Sequence, residues 1–158
     1  MDKEYEKILQ KANSNKKQIK RLVKSLSIQK TKQVDELIHP KHEKAFQHID
    51  CLKCANCCKT TGPRFTRTDI KRIAKHINLS EFDFEAEYLR FDEDGDWVLK
   101  SVPCVFLEED NKCSIYDIRP KACAEYPHTD RVDQKEILNI TQKNTVVCPA
   151  VAMIFDEL

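Results

Sequence analysis

The sequence predicts an α+β fold, in which a small cysteine-cluster domain of short strands and helices is stabilised by a metal and preceded by an N-terminal helical arm. Three observations lead to this prediction. Apolar residues recur at helical spacing near the N-terminus. All eight cysteines lie after residue 50. Short apolar runs between turn signals follow the first cysteines. We expect the basic amphipathic arm to cover residues 1–47 and the metal-binding domain to cover residues 48–158.

The arm carries an apolar stripe that repeats every three or four residues. It predicts an amphipathic helix over residues 2–28, with an interruption near residues 13–15, where the stripe weakens. A second helix is predicted over residues 31–38. It should stop ahead of Pro40, because the residue before a proline avoids the helical region. Residues 41–49 would form a third helix.

Charge is unevenly distributed along the chain. Residues 1–47 carry twelve Lys or Arg and six Asp or Glu, a net charge of +6, whereas residues 48–158 carry fifteen and twenty, a net charge of −5. Charge runs are usually solvated faces, and the lysines lack the interleaved aromatic residues that stack nucleic-acid bases. We therefore expect the stripe to pack on the rest of the protein, in preference to the two alternatives, nucleic-acid binding and self-association of the helix. We also expect a protein partner, which the sequence does not identify. The oligomeric state is left open.

The first residues lack the apolar core of a secretory signal. No apolar run approaches the roughly 20 residues that a membrane helix needs. We therefore expect a cytoplasmic protein that makes no contact with membranes.

Helix caps mark two elements of the cysteine domain. Thr66 and Asp69 stand at capping-box spacing and predict a helix that ends near Ile77. Ser80 fits the N-cap of another helix.

Turn residues mark the remaining elements. Asp94-Gly95-Asp96 predicts a turn, and one or two strands should follow within residues 97–107. Residues 105–107 and 113–116 could flank a hairpin, and Pro120 would open a short helical turn that carries Cys123. Three aromatic residues are candidates for the core: Phe82, Trp97 and Phe106.

The cysteines carry the functional information. They are Cys51, Cys54, Cys57, Cys58, Cys104, Cys113, Cys123 and Cys148. An even number would suit disulfides, but the reducing cytosol disfavours them. A catalytic thiolate would need a partner base, and the sequence does not place either candidate, His76 or His128, beside a thiol.

Metal binding fits the spacing best. Cysteines separated by two residues can turn both sulfurs toward one metal, and thiolates select zinc or iron–sulfur clusters. The unbroken repeat of Cys51, Cys54 and Cys57 matches the opening of bacterial cluster-binding runs. The match ends there, because those runs place the fourth cysteine after three residues, whereas Cys58 follows Cys57 directly. Such runs end in Cys-Pro, so Cys148-Pro149 could supply a remote ligand. Adjacent side chains of an extended chain point in opposite directions. Cys57 and Cys58 should therefore serve two sites, or one should be a ligand while the other packs or reacts.

The whole pattern resembles the CxxCxxCC family, the YkgJ-type cysteine-cluster proteins, which are described as zinc- or iron-chelating domains. The resemblance rests on the run from Cys51 to Cys58, on the block from Pro103 to Pro127 and on Cys148-Pro149, and it covers about residues 48–150. Flagellin lysine N-methylases share this cysteine pattern and are associated with an iron–sulfur cluster and methyl transfer. The present chain is much shorter than those enzymes and has only two glycines, so that activity is not carried over.

The resemblance and the spacing together predict that all eight cysteines are metal ligands. The cofactor would be an iron–sulfur cluster, with [4Fe–4S] favoured, or zinc. Arg119 would donate to a sulfur or a backbone carbonyl at this site, or would instead form an ion pair with Asp117 or Glu125. The leading hypothesis is a metal-binding protein without its own catalysis. A redox or methyl-transfer enzyme and a zinc-stabilised binding module remain alternatives.

Overall fold

The computed structural model of the protein describes residues 1–158. It contains ten α-helices and a three-stranded antiparallel sheet, so the predicted α+β class is confirmed. None of the helices is both long and apolar enough to cross a membrane. The helices are α1 (Lys3–Ser14), α2 (Lys16–Ser27), α3 (Thr31–His48), α4 (Cys51–Cys54), α5 (Asn56–Thr60), α6 (Arg67–His76), α7 (Glu81–Tyr88), α8 (Lys121–Glu125), α9 (Leu138–Asn144) and α10 (Pro149–Asp156). The strands are β1 (Arg64–Phe65), β2 (Leu89–Phe91) and β3 (Trp97–Leu99), and two 3-10 turns cover Tyr116–Ile118 and Gln134–Ile137.

The chain forms two compact units. We call Met1–Cys54 with Pro127–Leu158 the helical unit, and Ala55–Tyr126 the sheet unit. The boundary expected between residues 47 and 48 falls inside the helical unit. The run of cysteines from residue 51 to residue 58 is shared between the two units.

In the helical unit, the predicted apolar stripe is buried along α1 and α2. The expected interruption lies at Asn15, whose backbone N–H donates to the carbonyls of Lys11 and Ala12 and so ends α1. Helix α1 packs on α10, and α2 packs on α9.

The predicted break before Pro40 is wrong, because α3 runs without interruption from Thr31 to His48. A proline inside a helix removes one backbone hydrogen bond and costs about 3 kcal/mol. The buried side chains of α3 continue on both sides of Pro40, at Val34, Ile38 and Ala45, and the helix packs along α10. Burial of this face offsets the local cost of the proline.

In the sheet unit, strand β3 lies between β1 and β2. Both pairs are antiparallel, and Val98 faces Arg64 on one side and Arg90 on the other. The expected turn before β3 is present, and Gly95 adopts the left-handed φ of 79° that favours glycine. The expected hairpin at residues 105–116 is reduced to a single bridge between Leu107 and Cys113.

The predicted caps of α6 and α7 are present. Thr66 and Asp69 form a reciprocal capping box, and the Ser80 side chain accepts from the backbone N–H of Asp83. Helix α8 also forms as expected, with Pro120 at its N-cap.

Phe84 is the centre of the aromatic core of this unit. It is fully buried, and its ring lies 5.2 Å from Tyr88 and 6.4 Å from the predicted core residue Phe106, measured between centroids. The prediction of Phe82 as a core residue is wrong, because its side chain is 77% exposed. Within α7, residues 84 and 88 share a face, while residue 82 lies on the far side.

Phe84→Ala should destabilise the sheet unit by about 3–5 kcal/mol, because it leaves a cavity among packed aromatic rings. Phe82→Ala, two positions away on the same helix, removes an equal side chain from solvent and should change stability by less than about 0.5 kcal/mol. Guanidinium unfolding followed by Trp97 fluorescence measures both variants. Equal losses in the two would contradict the burial pattern.

Candidate metal centre

The two units divide the predicted ligands. The sheet unit contains Cys57, Cys58, Cys104, Cys113 and Cys123, and the helical unit contains Cys51, Cys54 and Cys148. All eight are present as thiols.

Short helices carry the first four cysteines. Asp50 accepts from the N–H of Leu52 through its side chain and from the N–H of Cys54 through its carbonyl, which fixes α4. Ala55 then takes a left-handed φ of 48°, and α5 starts at the next residue. The expectation that Cys57 and Cys58 lie in extended chain is therefore wrong. They are consecutive residues of α5.

Four sulfurs of the sheet unit converge. Cys58 is tied to the second block of cysteines by a 2.7 Å hydrogen bond from the backbone N–H of Cys104 to its carbonyl. Cys113 follows through the bridge to Leu107, and α8 supplies Cys123. We call Cys58, Cys104, Cys113 and Cys123 the sheet-unit thiol set.

The charges of this set act on one another. Burial, and then charge on each of the other three sulfurs, raise the pKa of Cys123 to about 12. Burial, together with the nearby sulfurs, raises the pKa of Cys104 to about 11 and also raises the pKa of Cys113. Four thiolates at this spacing repel one another, so a positive group is needed to hold all of them deprotonated.

Backbone amides oppose this repulsion at two of the sulfurs. The backbone N–H groups of Phe106 and Leu107 lower the pKa of Cys104, and the N–H of Ile115 lowers the pKa of Cys113. Each donor lies two or three residues after the cysteine that it serves. Hydrogen bonds to the charged form favour a thiolate and tune the properties of a bound metal or cluster.

Cys58 differs from the other members of its set. Its sulfur lies 3.9 Å from the sulfur of Cys57. The hydrogen bond with Cys57 and the charge of Lys59 outweigh burial and lower the pKa of Cys58 to about 7. Cys58 is thus the thiol of this set most readily ionised at neutral pH.

Arg119 supplies positive charge near two members of the sheet-unit thiol set, Cys113 and Cys123. Its guanidinium lowers the pKa of Cys113 and of Cys123, against the larger effect of burial. One nitrogen donates to the carbonyl of Tyr116 at 2.6 Å, and the guanidinium carbon lies 4.0 Å from the centroid of the Tyr116 ring.

The helical unit contains a smaller group of sulfurs. Cys148 is buried at the N-cap of α10, where burial raises its pKa to about 12 while the N–H groups of Val151 and Ala150 lower it. Charges on Cys51 and Cys54 also raise the Cys148 pKa, which places the three sulfurs near one another. We call Cys51, Cys54 and Cys148 the helical-unit thiol set.

Neither set forms a closed cage for one ion. No group of three or more His, Cys, Asp or Glu side chains is arranged to hold a single metal ion. The sulfurs of the sheet-unit set are near enough for charge on one to raise the pKa of another. His76 is exposed at the end of α6, and no histidine is among the leading causes of the cysteine pKa shifts.

The sequence did not predict that Asp69 and Arg72 contact the segment that leads into α8. The capping-box spacing identifies Asp69 only as a helix cap, yet its second carboxylate oxygen accepts from the backbone N–H of Lys121, at the start of α8. Arg72 donates to the carbonyls of Ile118 and Arg119. No sequence signal links Asp69 to a segment 52 residues away.

Comparison with known proteins places these residues in a family. Residues 50–149 match the family model CxxCxxCC, described as "Putative zinc- or iron-chelating domain". A curated relative is the uncharacterized protein MJ0661 of Methanocaldococcus jannaschii, which is 33% identical over 85 residues. The aligned region covers 52% of the present chain and 46% of that protein, so the chain spans about half the length of this relative. No solved structure matches the chain.

Arg119→Leu should speed the loss of metal from the protein by about 10-fold, because it removes a positive charge that acts on Cys113 and Cys123. Arg90→Leu is the matched control, since Arg90 also donates to a nearby backbone carbonyl, that of Phe91. The rate of metal transfer to a chelator, followed in anaerobically purified protein, measures the effect. Equal rates in the two variants would show that the Arg119 charge does not act at the centre.

Proposed function

The chain belongs to the CxxCxxCC family of zinc- or iron-chelating domains, and from that premise we propose that its sheet-unit thiol set holds a [4Fe–4S] cluster. The observation that carries the proposal is the convergence of four cysteines from three separated segments of one compact unit. Four cysteine thiolates are the usual ligand set of such a cluster. When bound, the cluster supplies one-electron redox chemistry.

The amide donors support the same assignment. The backbone N–H groups of Phe106, Leu107 and Ile115 lower the pKa of sulfurs of the set. Hydrogen bonds to the sulfurs and the charge of Arg119 stabilise the electron-rich state of a cluster and raise its reduction potential. These residues would tune the centre as well as hold it.

The helical-unit thiol set supports a second centre. Cys148 is near Cys51 and Cys54 within the helical unit, and two backbone amides donate to its sulfur. This arrangement repeats the chemistry of the sheet unit with other ligands. We assign these three cysteines to a separate thiolate metal site, whose metal is zinc or iron.

The proposed role is electron transfer or metal handling in the cytoplasm, together with a partner protein. The thiols of the sheet unit are half-buried, and two apolar side chains beside them in the chain are exposed, namely Val105 at 55% and Tyr116 at 52%. Exposed apolar surface next to a centre provides a contact area for a partner. Electrons or metal could then be exchanged over a short distance.

Anaerobic purification tests the identity of the cofactor. We expect about four iron and four sulfide per sheet unit and a broad absorbance band at about 400 nm that bleaches on reduction. The band arises from charge transfer between thiolate or sulfide and iron, so zinc cannot produce it. Stoichiometric zinc without iron would show that the cluster assignment is wrong while leaving metal binding intact.

Single cysteine variants test the division into two centres. Cys123→Ser should remove the 400 nm band, because it takes one ligand from the sheet-unit set, whereas Cys148→Ser should leave most of the band in place. Both substitutions replace a sulfur by an oxygen of similar size, which makes them matched controls for each other. Loss of the whole band in both variants would indicate a single shared centre.

A further inference from the structure

One carboxylate in the sheet unit accepts four hydrogen bonds. Asp69 is 1% exposed. Its Oδ2 accepts from the backbone N–H of Thr66 at 2.9 Å and from the Thr66 hydroxyl at 2.6 Å. Its Oδ1 accepts from Arg72 Nη2 at 2.7 Å and from the backbone N–H of Lys121 at 3.1 Å. The first pair caps α6, and the second pair reaches the segment that leads into α8.

Helix α8 depends on this distant cap. Its own N-cap residue is Pro120, which offers no side-chain cap. The orphan N–H of Lys121, the first residue of the helix, is satisfied by Asp69 instead. The N–H of Cys123 in turn donates to the carbonyl of Pro120 at 2.9 Å. The first turn of the helix that carries Cys123 is therefore in contact with Asp69.

Arg72 holds the residues just before this helix. Its Nη2 donates to the carbonyl of Arg119 at 2.9 Å, and its Nε donates to the carbonyl of Ile118 at 3.3 Å. The same guanidinium is paired with Asp69. A planar guanidinium can make these contacts together, whereas a lysine ammonium cannot reproduce the fork.

We infer that Asp69 and Arg72 are positioning residues that hold Cys123 in place as a ligand of the sheet-unit centre. The inference rests on the proposed function, since it assigns Cys123 to that centre. The segment from Ile118 to Lys121 is fixed to α6 by hydrogen bonds from both residues, and Cys123 lies within one helical turn of it.

The charge state of Asp69 agrees with this role. Burial raises the pKa of Asp69, but the hydrogen bonds from Thr66, Lys121 and Arg72 together outweigh it and lower the pKa overall. The group is thus an ionised carboxylate with every partner in place. An asparagine has one acceptor oxygen instead of two, so it can serve α6 or α8 but not both.

Site-resolved alkylation tests the inference. Anaerobically purified full-length protein is treated with N-ethylmaleimide, and mass spectrometry gives the labelling rate of each cysteine. In Asp69→Asn we expect Cys123 to label about 10-fold faster than in the wild type, a larger increase than for any of the other three members of its set. Arg72→Lys should show the same selective change.

Asp83→Asn is the matched control. Asp83 accepts from the Ser80 hydroxyl at 2.6 Å at the start of α7, as Asp69 does from Thr66 at the start of α6, but its contacts stay within that cap. The Asp83→Asn substitution should leave the labelling rate of Cys123 at its wild-type value. The same increase in Asp83→Asn would attribute the effect to loss of a helix cap in general and would overturn the inference.

The labelling pattern also shows whether a variant has simply unfolded. If Asp69→Asn unfolds, all eight cysteines label together, and the labelling pattern of Arg72→Lys then decides whether the inference holds. Wild-type Cys123 labelling in a folded variant, or equal acceleration of all four thiols of the set, would contradict a positioning role. Elemental analysis of the wild type distinguishes failure of this inference from failure of the proposed function. A metal-free protein would refute the centre, whereas the relative labelling rates would still test whether Asp69 and Arg72 hold Cys123 in place.

Discussion

The cost of ionising four nearby, half-buried thiols is the constraint on which the proposed centre of the sheet unit depends. Cys58, Cys104, Cys113 and Cys123 lie near enough that charge on one raises the pKa of another, and burial adds to the effect. Amide donors and Arg119 offset only part of this cost. A bound cationic group would convert the repulsion into attraction, and metal binding of this kind can contribute as much free energy as a small domain's whole stability. We therefore expect metal binding at the proposed centre to stabilise the fold.

Much of the fold could be predicted from the sequence, because its signals are local. The stripes of α1 and α2 and the caps of α6 and α7 involve residues within one or two turns of each other. The failures came where a neighbouring element decides the outcome. Pro40 stays within α3 because burial continues on both sides of it. The pairing of Phe84 with Tyr88 at i and i+4 could have shown that Phe82 points to solvent.

The site was predictable in composition but not in arrangement. Spacing and family resemblance identify eight cysteines as candidate ligands, yet they do not divide them. The division depends on contacts between distant segments, such as the backbone hydrogen bond from Cys104 to Cys58 and the contact of Asp69 with Lys121. The helical conformation of α5 also removes the extended geometry that the sequence suggested for Cys57 and Cys58. Asp69, which no metal-site motif includes, thus contacts the start of the helix that carries the motif residue Cys123.

Native mass spectrometry of the intact, anaerobically purified chain tests whether the four thiols of the sheet unit together hold one cluster. We predict a mass excess that includes about four iron and four sulfur atoms, and its loss in Cys58→Ser as well as in Cys123→Ser. A chain that carries no bound mass, or only the mass of zinc, would contradict the account. So would a cluster mass that persists when Cys58 or Cys123 is replaced.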